Sequence, residues 1–183
     1  MRAQTVFKRA YIFDFDDVLV TTDTKMRIYH NNIYVKSLST KKFNSYIKKP
    51  GDTFDFSEFS DGELILNAKK YKGWPIIKNI GDAIKKERST SDIFILTARS
   101  PIVRSYIYEF LKQNGIDIEI SHILTLGDNI GKINVSKEKY KVLIALSKKY
   151  DEVFFFDDDP KNIQLAKLVP GIKTRLIENN SIQ

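Results

Sequence analysis

The stretch "FFFDDDPKN" (154–162) sets three phenylalanines directly before three aspartates. An apolar run of strand length that ends in consecutive acids reads as a buried strand whose carboxyl end opens into a polar crevice. A second stretch, "AYIFDFDDV" (10–18), repeats the pattern: an apolar strand runs into Asp14, Asp16 and Asp17. If the two strands are neighbours, carboxylates from both meet in one crevice. Two of them ~4 Å apart repel by roughly 4 kcal/mol at an effective dielectric near ~20. A divalent cation, or a proton on one acid, relieves that repulsion. Taken singly, acids at strand ends are also turn formers and caps, and Asp159 before Pro160 reads as a helix N-cap.

Outward from these stretches, further apolar runs recur: "DIFILT" (92–97), "IEISHILTL" (118–126) and "IKTRLIE" (172–178). Helical patterns lie between them. "WPIIKNIGDAIKKER" (74–88) puts Ile76, Ile77, Ile80 and Ile84 on one face, with Pro75 in the first turn. "SPIVRSYIYEFLKQNG" (100–115) has Ser100 as N-cap, Pro101 at the first helical position and Gly115 as the stop. "SKEKYKVLIALSKKY" (136–150) starts from Ser136, and "DPKNIQLAKLVPG" (159–171) is closed by Pro170. Strands alternating with amphipathic helices predict an α/β, doubly wound three-layer sandwich with a mainly parallel sheet. Ligands of such sheets sit beyond the carboxyl ends of the strands.

The rhythm breaks between the first strand and Trp74. "MRIYHNNIYVKSL" (26–38) reads as two strands joined at Asn31-Asn32, whose tolerance of positive φ suits a tight hairpin. Ser39 and Thr40 cap a short helix through "KKFNSYI", and "KKPGDTFDFSEFSDGE" reads as a polar, aromatic-dotted loop. Residues 19–73 are thus a small hairpin and helix cap or flap inserted in a single domain over 1–183, opening beside the first acids and placed to roof whatever binds there.

With 183 residues, 42% hydrophobic and 12% aromatic, the chain can bury a sizeable core. It has no cysteine, which excludes disulfides and thiolate zinc sites, and only two histidines, His30 and His122. A metal here is therefore hard and oxygen-bound. The net charge of +7 and pI near 9.4 suit either anionic partners or a lysine-rich solubilising surface. The N-terminus is basic and then apolar, but Asp14, Asp16 and Asp17 interrupt it too early for a leader peptide, and no run has the ~18 apolar residues of a membrane span. A soluble, cytoplasmic protein without a membrane partner is expected.

Two more elements complete the pattern. Thr97 ends the second strand in "LTARS", where a hydroxyl and the following N–H groups suit a phosphoryl oxygen. Lys137, Lys139 and Lys141 cluster upstream of the strand carrying Asp157. "DFDDV" (14–18), a strand ending in Thr97, a lysine at the head of a helix and "FFDDDPKN" (155–162) stand in the order and spacing of the four motifs of the haloacid dehalogenase (HAD) superfamily of phosphohydrolases. From about Tyr11 to Val169 the chain resembles these enzymes, and in size it is similar to short members carried by phages and bacteria.

The resemblance implies a HAD-like, Rossmannoid fold and a set of roles. Asp14 would be the nucleophile that becomes an aspartyl phosphate, and Asp16 would protonate the leaving oxygen and then activate water. Thr97, with Ala98 and Arg99, would bind the transferring phosphoryl group. The motif lysine would be Lys139, because Val142, Leu143 and Leu146 follow it at +3, +4 and +7, with Lys137 and Lys141 as alternatives. Mg²⁺ would be held by Asp14, the backbone carbonyl of Asp16, Asp158 and its partner Asp157. Asn162 stands where many members have a further acid, and Asp17 where a glycine is common.

The expected activity is that of a Mg²⁺-dependent phosphatase acting on a phosphorylated small molecule, a nucleotide or a phosphorylated nucleic-acid end. Arg99, Arg104, Lys36, Lys41, Lys42, Lys48 and Lys49 are candidate contacts to such a substrate or ordinary surface charge. No RNA-binding signature is present. A non-catalytic phosphate-binding or nucleic-acid-binding module, and a phosphotransferase using the same intermediate, are the alternatives. The oligomeric state is left open by the sequence.

Overall fold

In the computed structural model, which describes residues 7–87, 89–127 and 134–178, the first strand lies at the centre of the sheet. The expectations touching residues 1–6, Arg88 and 179–183 lie outside the described residues: the basic start of the chain, the last residue of the 74–88 helix and the ends of the 1–183 domain. In chain order the elements are β1 (Arg9–Phe13), β2 (Val20–Thr21), β3 (Lys25–His30), β4 (Ile33–Ser39), α1 (Thr40–Asn44), β5 (Asp52–Asp55), α2 (Gly62–Leu66) and β6 (Lys69–Lys70). They continue with α3 (Trp74–Glu87), β7 (Asp92–Thr97), α4 (Arg104–Gln113), β8 (Ile123–Thr125), α5 (Val135–Ser147), β9 (Glu152–Asp157), α6 (Pro160–Ala166) and β10 (Ile172–Leu176). The fold is α/β, with a central sheet in the order β10-β9-β1-β7-β8. Every pairing in that sheet is parallel.

Side chains of a strand alternate between the two faces of the sheet, and both faces here are apolar. Phe13, Ile93, Ile95 and Phe156 share one core with Trp74 and Ile77 of α3 and Ile107, Phe110 and Leu111 of α4. Ala10, Ile12, Phe94, Leu96, Val153 and Phe155 share the other with Leu143 and Leu146 of α5 and Ile163 and Ala166 of α6. Three layers follow from this alternation.

β1 and β9 are neighbours, in a register that pairs Tyr11 with Phe154 and Phe13 with Phe156. Both pairs are stacked, at 5.0 Å and 4.4 Å between ring centroids. The ladder runs one residue further, the Asp14 N–H donating to the Phe156 carbonyl at 2.9 Å. The two acid runs therefore end side by side. The chain passes from β1 to one side of the sheet and returns to β9 on the other, so they also meet where the strand order reverses, the usual place for a ligand.

Between β2 and β6, which pair antiparallel, the chain builds a separate three-stranded sheet, β4-β3-β5. Asn31 and Asn32 make the hairpin turn with φ of 49° and 65°. The stretch read as a loop after α1 is more ordered than expected. β5 joins the hairpin edge, a 3-10 turn follows at Ser57–Ser60, and α2 is capped by Asp61. The strand expected over 118–126 is only Ile123–Thr125, because a 3-10 turn at Ile120–His122 uses the preceding backbone. α5 begins at Val135, since Asn134 rather than Ser136 caps it by accepting from the Lys137 N–H. The helix expected from Ser100 opens as a 3-10 turn at Pro101–Val103 and becomes α-helical at Arg104. α6 stops at Ala166, short of Pro170. Among the described residues no helix is long and apolar enough to cross a membrane.

The β1–β9 stack makes a stability prediction. Phe13 is fully buried, so Phe13→Ala should cost about 3–5 kcal/mol, read as a lowered urea midpoint at unchanged slope, and Phe13→Leu distinctly less.

Candidate active site

Asp14 follows β1, Asp157 ends β9, and Lys139 reaches both from the second turn of α5. The Lys139 ammonium lies 2.8 Å from Asp14 Oδ1 and 2.7 Å from Asp157 Oδ2. Its side chain is 3% exposed, so the charge is taken from water only because two carboxylates face it. Burial works against the ammonium, but Asp14 and Asp157 together outweigh it and hold the lysine pKa above its ordinary value. Lys141 instead pairs with Glu138 on the exposed side of the helix, and Lys137 is exposed.

Asp157 is fully buried and fully engaged. Besides Lys139 it accepts from the Asp159 N–H at 2.8 Å and from Asn162 Nδ2 at 3.0 Å on each oxygen. The sequence reading turns Asp157 toward a metal alongside Asp158; its bonds give it first the task of holding the lysine and asparagine. Asp158 lines the crevice with Asp14. Burial, then Asp157 and Asp17, push the Asp158 carboxyl up to about 7. Asp14 is pushed well above the usual carboxylate range, chiefly by burial and against the pull of Lys139.

Oxygens of Asp14, Asp157 and Asp158 lie within 4.8 Å of one another and could hold a metal ion. The donor set is all oxygen, which suits a hard divalent cation. A further observation fits the same group: Asn162 Oδ1, buried at the crevice, has no hydrogen-bond partner among the described residues. An acceptor so placed suits a cation's water shell. The asparagine that replaces an expected acid therefore still offers oxygen to the site.

Thr97, at the end of β7, is buried on the crevice wall. Its Oγ1 accepts from the Arg99 N–H at 3.2 Å, which leaves the hydroxyl hydrogen to donate. Gly127 packs so closely behind this loop that a Cβ there would lie 2.0 Å from the Ala98 carbonyl oxygen. The sequence reading did not single Gly127 out. Only the chain packing reveals its role.

Arg99 is the main correction. The sequence offers it as a contact to the phosphoryl group or substrate, or as ordinary surface charge. The structure buries it completely beneath Asp16. Nε donates to Oδ2 and Nη2 to Oδ1, both at 2.8 Å, and Nη2 also reaches Thr22 at 3.0 Å and Thr24 at 2.9 Å. The Phe59 ring covers the guanidinium carbon at 5.3 Å. This fork needs a planar side chain with several donors, which is why an arginine stands here. Thr22 and Thr24, at the start of the inserted segment, had no signal in the sequence. Asp17, in the position where glycine is common, has φ of 57°, a conformation aspartate tolerates.

Of the basic candidates, Lys48 lines the crevice, with its ammonium over the Phe54 ring. Lys36, Lys41, Lys42 and Lys49 are exposed. Arg104 bonds Thr125 and borders a different cavity. The two histidines serve packing and pairing, His30 with Asp52 and His122 against Phe94.

Residues 4–140 match the family described as "Protein of unknown function (DUF2608)", and the chain belongs to that family. Among curated proteins none matches it. Among solved structures, the HAD domain of effector protein Lem4 from Legionella pneumophila is similar at 16% identity and a TM-score of 0.49, over 98% of this chain and 91% of that one. An inactive mutant of the same domain is similar at 14% identity and a TM-score of 0.48, over 97% and 89%.

The Arg99 fork is open to test. Arg99→Met leaves Asp16 facing hydrocarbon and should cost about 3–5 kcal/mol by urea unfolding. Arg99→Lys should recover only part of the loss, and a double-mutant cycle with Asp16→Asn should give a coupling of about 1 kcal/mol or more.

Proposed function

We propose that this member of the DUF2608 family is a Mg²⁺-dependent phosphomonoesterase of the HAD type. The observation that carries the reading is the buried Lys139 bridge between Asp14 and Asp157, with Asp158 and Thr97 on the same crevice wall. The five groups come from the carboxyl ends of three parallel strands and from one helix, in the order of the motifs quoted from the sequence.

In this reading Asp14 attacks phosphorus and the bond from phosphorus to the leaving oxygen breaks. Water then attacks the aspartyl phosphate, the bond from phosphorus to Asp14 breaks, and the water's proton leaves to solvent as Asp14 is released with inorganic phosphate. Lys139 aligns the Asp14 carboxylate and faces the phosphoryl charge, and the Thr97 hydroxyl donates to a phosphoryl oxygen. Asp157 positions Lys139. Asp14, Asp157 and Asp158 are the residues that would hold Mg²⁺, which when bound would neutralise charge at the phosphoryl group.

Asp14→Asn should abolish phosphate release from aryl and alkyl esters while the protein stays folded, checked by circular dichroism. Activity above a hundredth of the starting value would exclude Asp14 as nucleophile. A pH test addresses the cation. Without metal, the folded Asp158 carboxyl titrates at about 7, against about 3.9 unfolded. The unfolded chain thus loses this proton first, and stability falls as pH rises from about 4 to about 7. A cation that keeps Asp158 ionised removes this loss. Mg²⁺ should therefore raise the melting temperature more at pH 8 than at pH 5; an equal rise at both would place the ion elsewhere.

A further inference from the structure

The crevice that holds Asp14 and Asp158 is also walled by hydrocarbon. Its volume is about 400 Å³, and Met26, Phe43, Phe54, Phe56 and Phe59 line it together with the acids. All five come from the inserted segment. Phe43 meets Phe54 and Phe56 edge-on, with ring centroids 5.0 Å and 5.4 Å apart, and Phe56 meets Phe59 at 6.1 Å. Phe43, Phe54 and Phe56 are half-buried, and all three line the crevice. The polar side chains that the inserted segment adds to the lining are Thr40, which bonds Asp17, and Lys48, stacked over Phe54.

We propose that the group esterified to the phosphate is an aromatic ring seated among these phenylalanines, so that the substrate class is an aryl phosphomonoester. The inference rests on the phosphatase reading and sharpens it. A phosphoryl group at the acids directs the rest of its ester into the chamber, whose aromatic walls reward a ring with burial and edge-to-face contact. A nucleobase or a sugar brings donors and acceptors that need partners, and burying them unpaired is costly.

The engagement of Asp16 is a second, independent observation. Both its oxygens accept from Arg99, and one from Thr22, so it is poorly placed to give a proton to a leaving oxygen. An aliphatic alkoxide, about as basic as hydroxide from water of pKa ~15.7, needs that proton. A phenoxide, whose parent acid has a pKa of about 10, departs without it. The balance is simple: the phosphorus–oxygen bond to the ring oxygen breaks as the Asp14 bond forms, the aryl oxide takes its proton from solvent, and water returns Asp14 with phosphate.

The test separates this inference from the reading beneath it. Phenylphosphonate and methylphosphonate cannot be hydrolysed, so their affinities for the wild-type protein with Mg²⁺, measured by calorimetry, report the chamber alone. Phenylphosphonate should bind about tenfold or more tightly. In Phe54→Ala/Phe56→Ala the ratio of the two affinities should collapse by about the same factor. Equal binding of the two phosphonates by the wild type, or competition by adenosine 5′-monophosphate stronger than by phenylphosphonate, would overturn the aromatic assignment even where phosphate release and its loss in Asp14→Asn uphold the enzyme. A phenyl preference without release of phosphate from any ester would uphold the chamber and overturn catalysis.

Discussion

The register between β1 and β9 is the constraint on which the rest depends. Phe13 stacked on Phe156 sets the two strands level, and levelness is what brings Asp14 and Asp157 within reach of a single ammonium. A slip of one residue in a parallel pair would turn every side chain to the opposite face. The aromatic pairs make such a slip expensive, since both faces of this sheet are already packed by helices.

Charge follows from that placement. Asp14, Asp157 and Asp158 crowd one side of the crevice against Lys139, while Asp16 leans away onto Arg99. The two buried cations do different work. Lys139 is a point charge on a flexible stem and serves two carboxylates from different strands. Arg99 is a planar fork that fixes one carboxylate and ties it to Thr22 and Thr24. The carboxylates outnumber the two cations that face them, and Asp14, Asp157 and Asp158 could hold a hard divalent cation.

The inserted segment joins both halves of the site. At its base it supplies the threonines that hold Arg99; further along it supplies the phenylalanine wall. Phe54 and Phe56 share one face because they are two residues apart in extended chain, and Phe59 returns by a 3-10 turn to cover Arg99. The phenylalanine wall and the orientation of Asp16 are thus linked through Phe59 and Arg99.

Much was legible in the sequence. Periodicity marked β1, β7, β9 and β10 and the four helices that cover the sheet. The acid runs marked its carboxyl edge, and likeness to the family's helices preferred Lys139 with Lys137 and Lys141 left open; packing places Lys139 between Asp14 and Asp157. The sequence by itself determined which chemical groups gather at the strand ends, because strand alternation, helix caps and acid runs are local properties. Only the tertiary structure decided what each group faces. Arg99 reads locally as a cation beside a phosphate loop, yet its partners lie 75 to 83 residues away, after β1 and at the start of the inserted segment. The aromatic stretch reads locally as a loop, yet pairing with β3 makes it a wall. Such contacts arise from chain closure over long separations, and no local pattern records them.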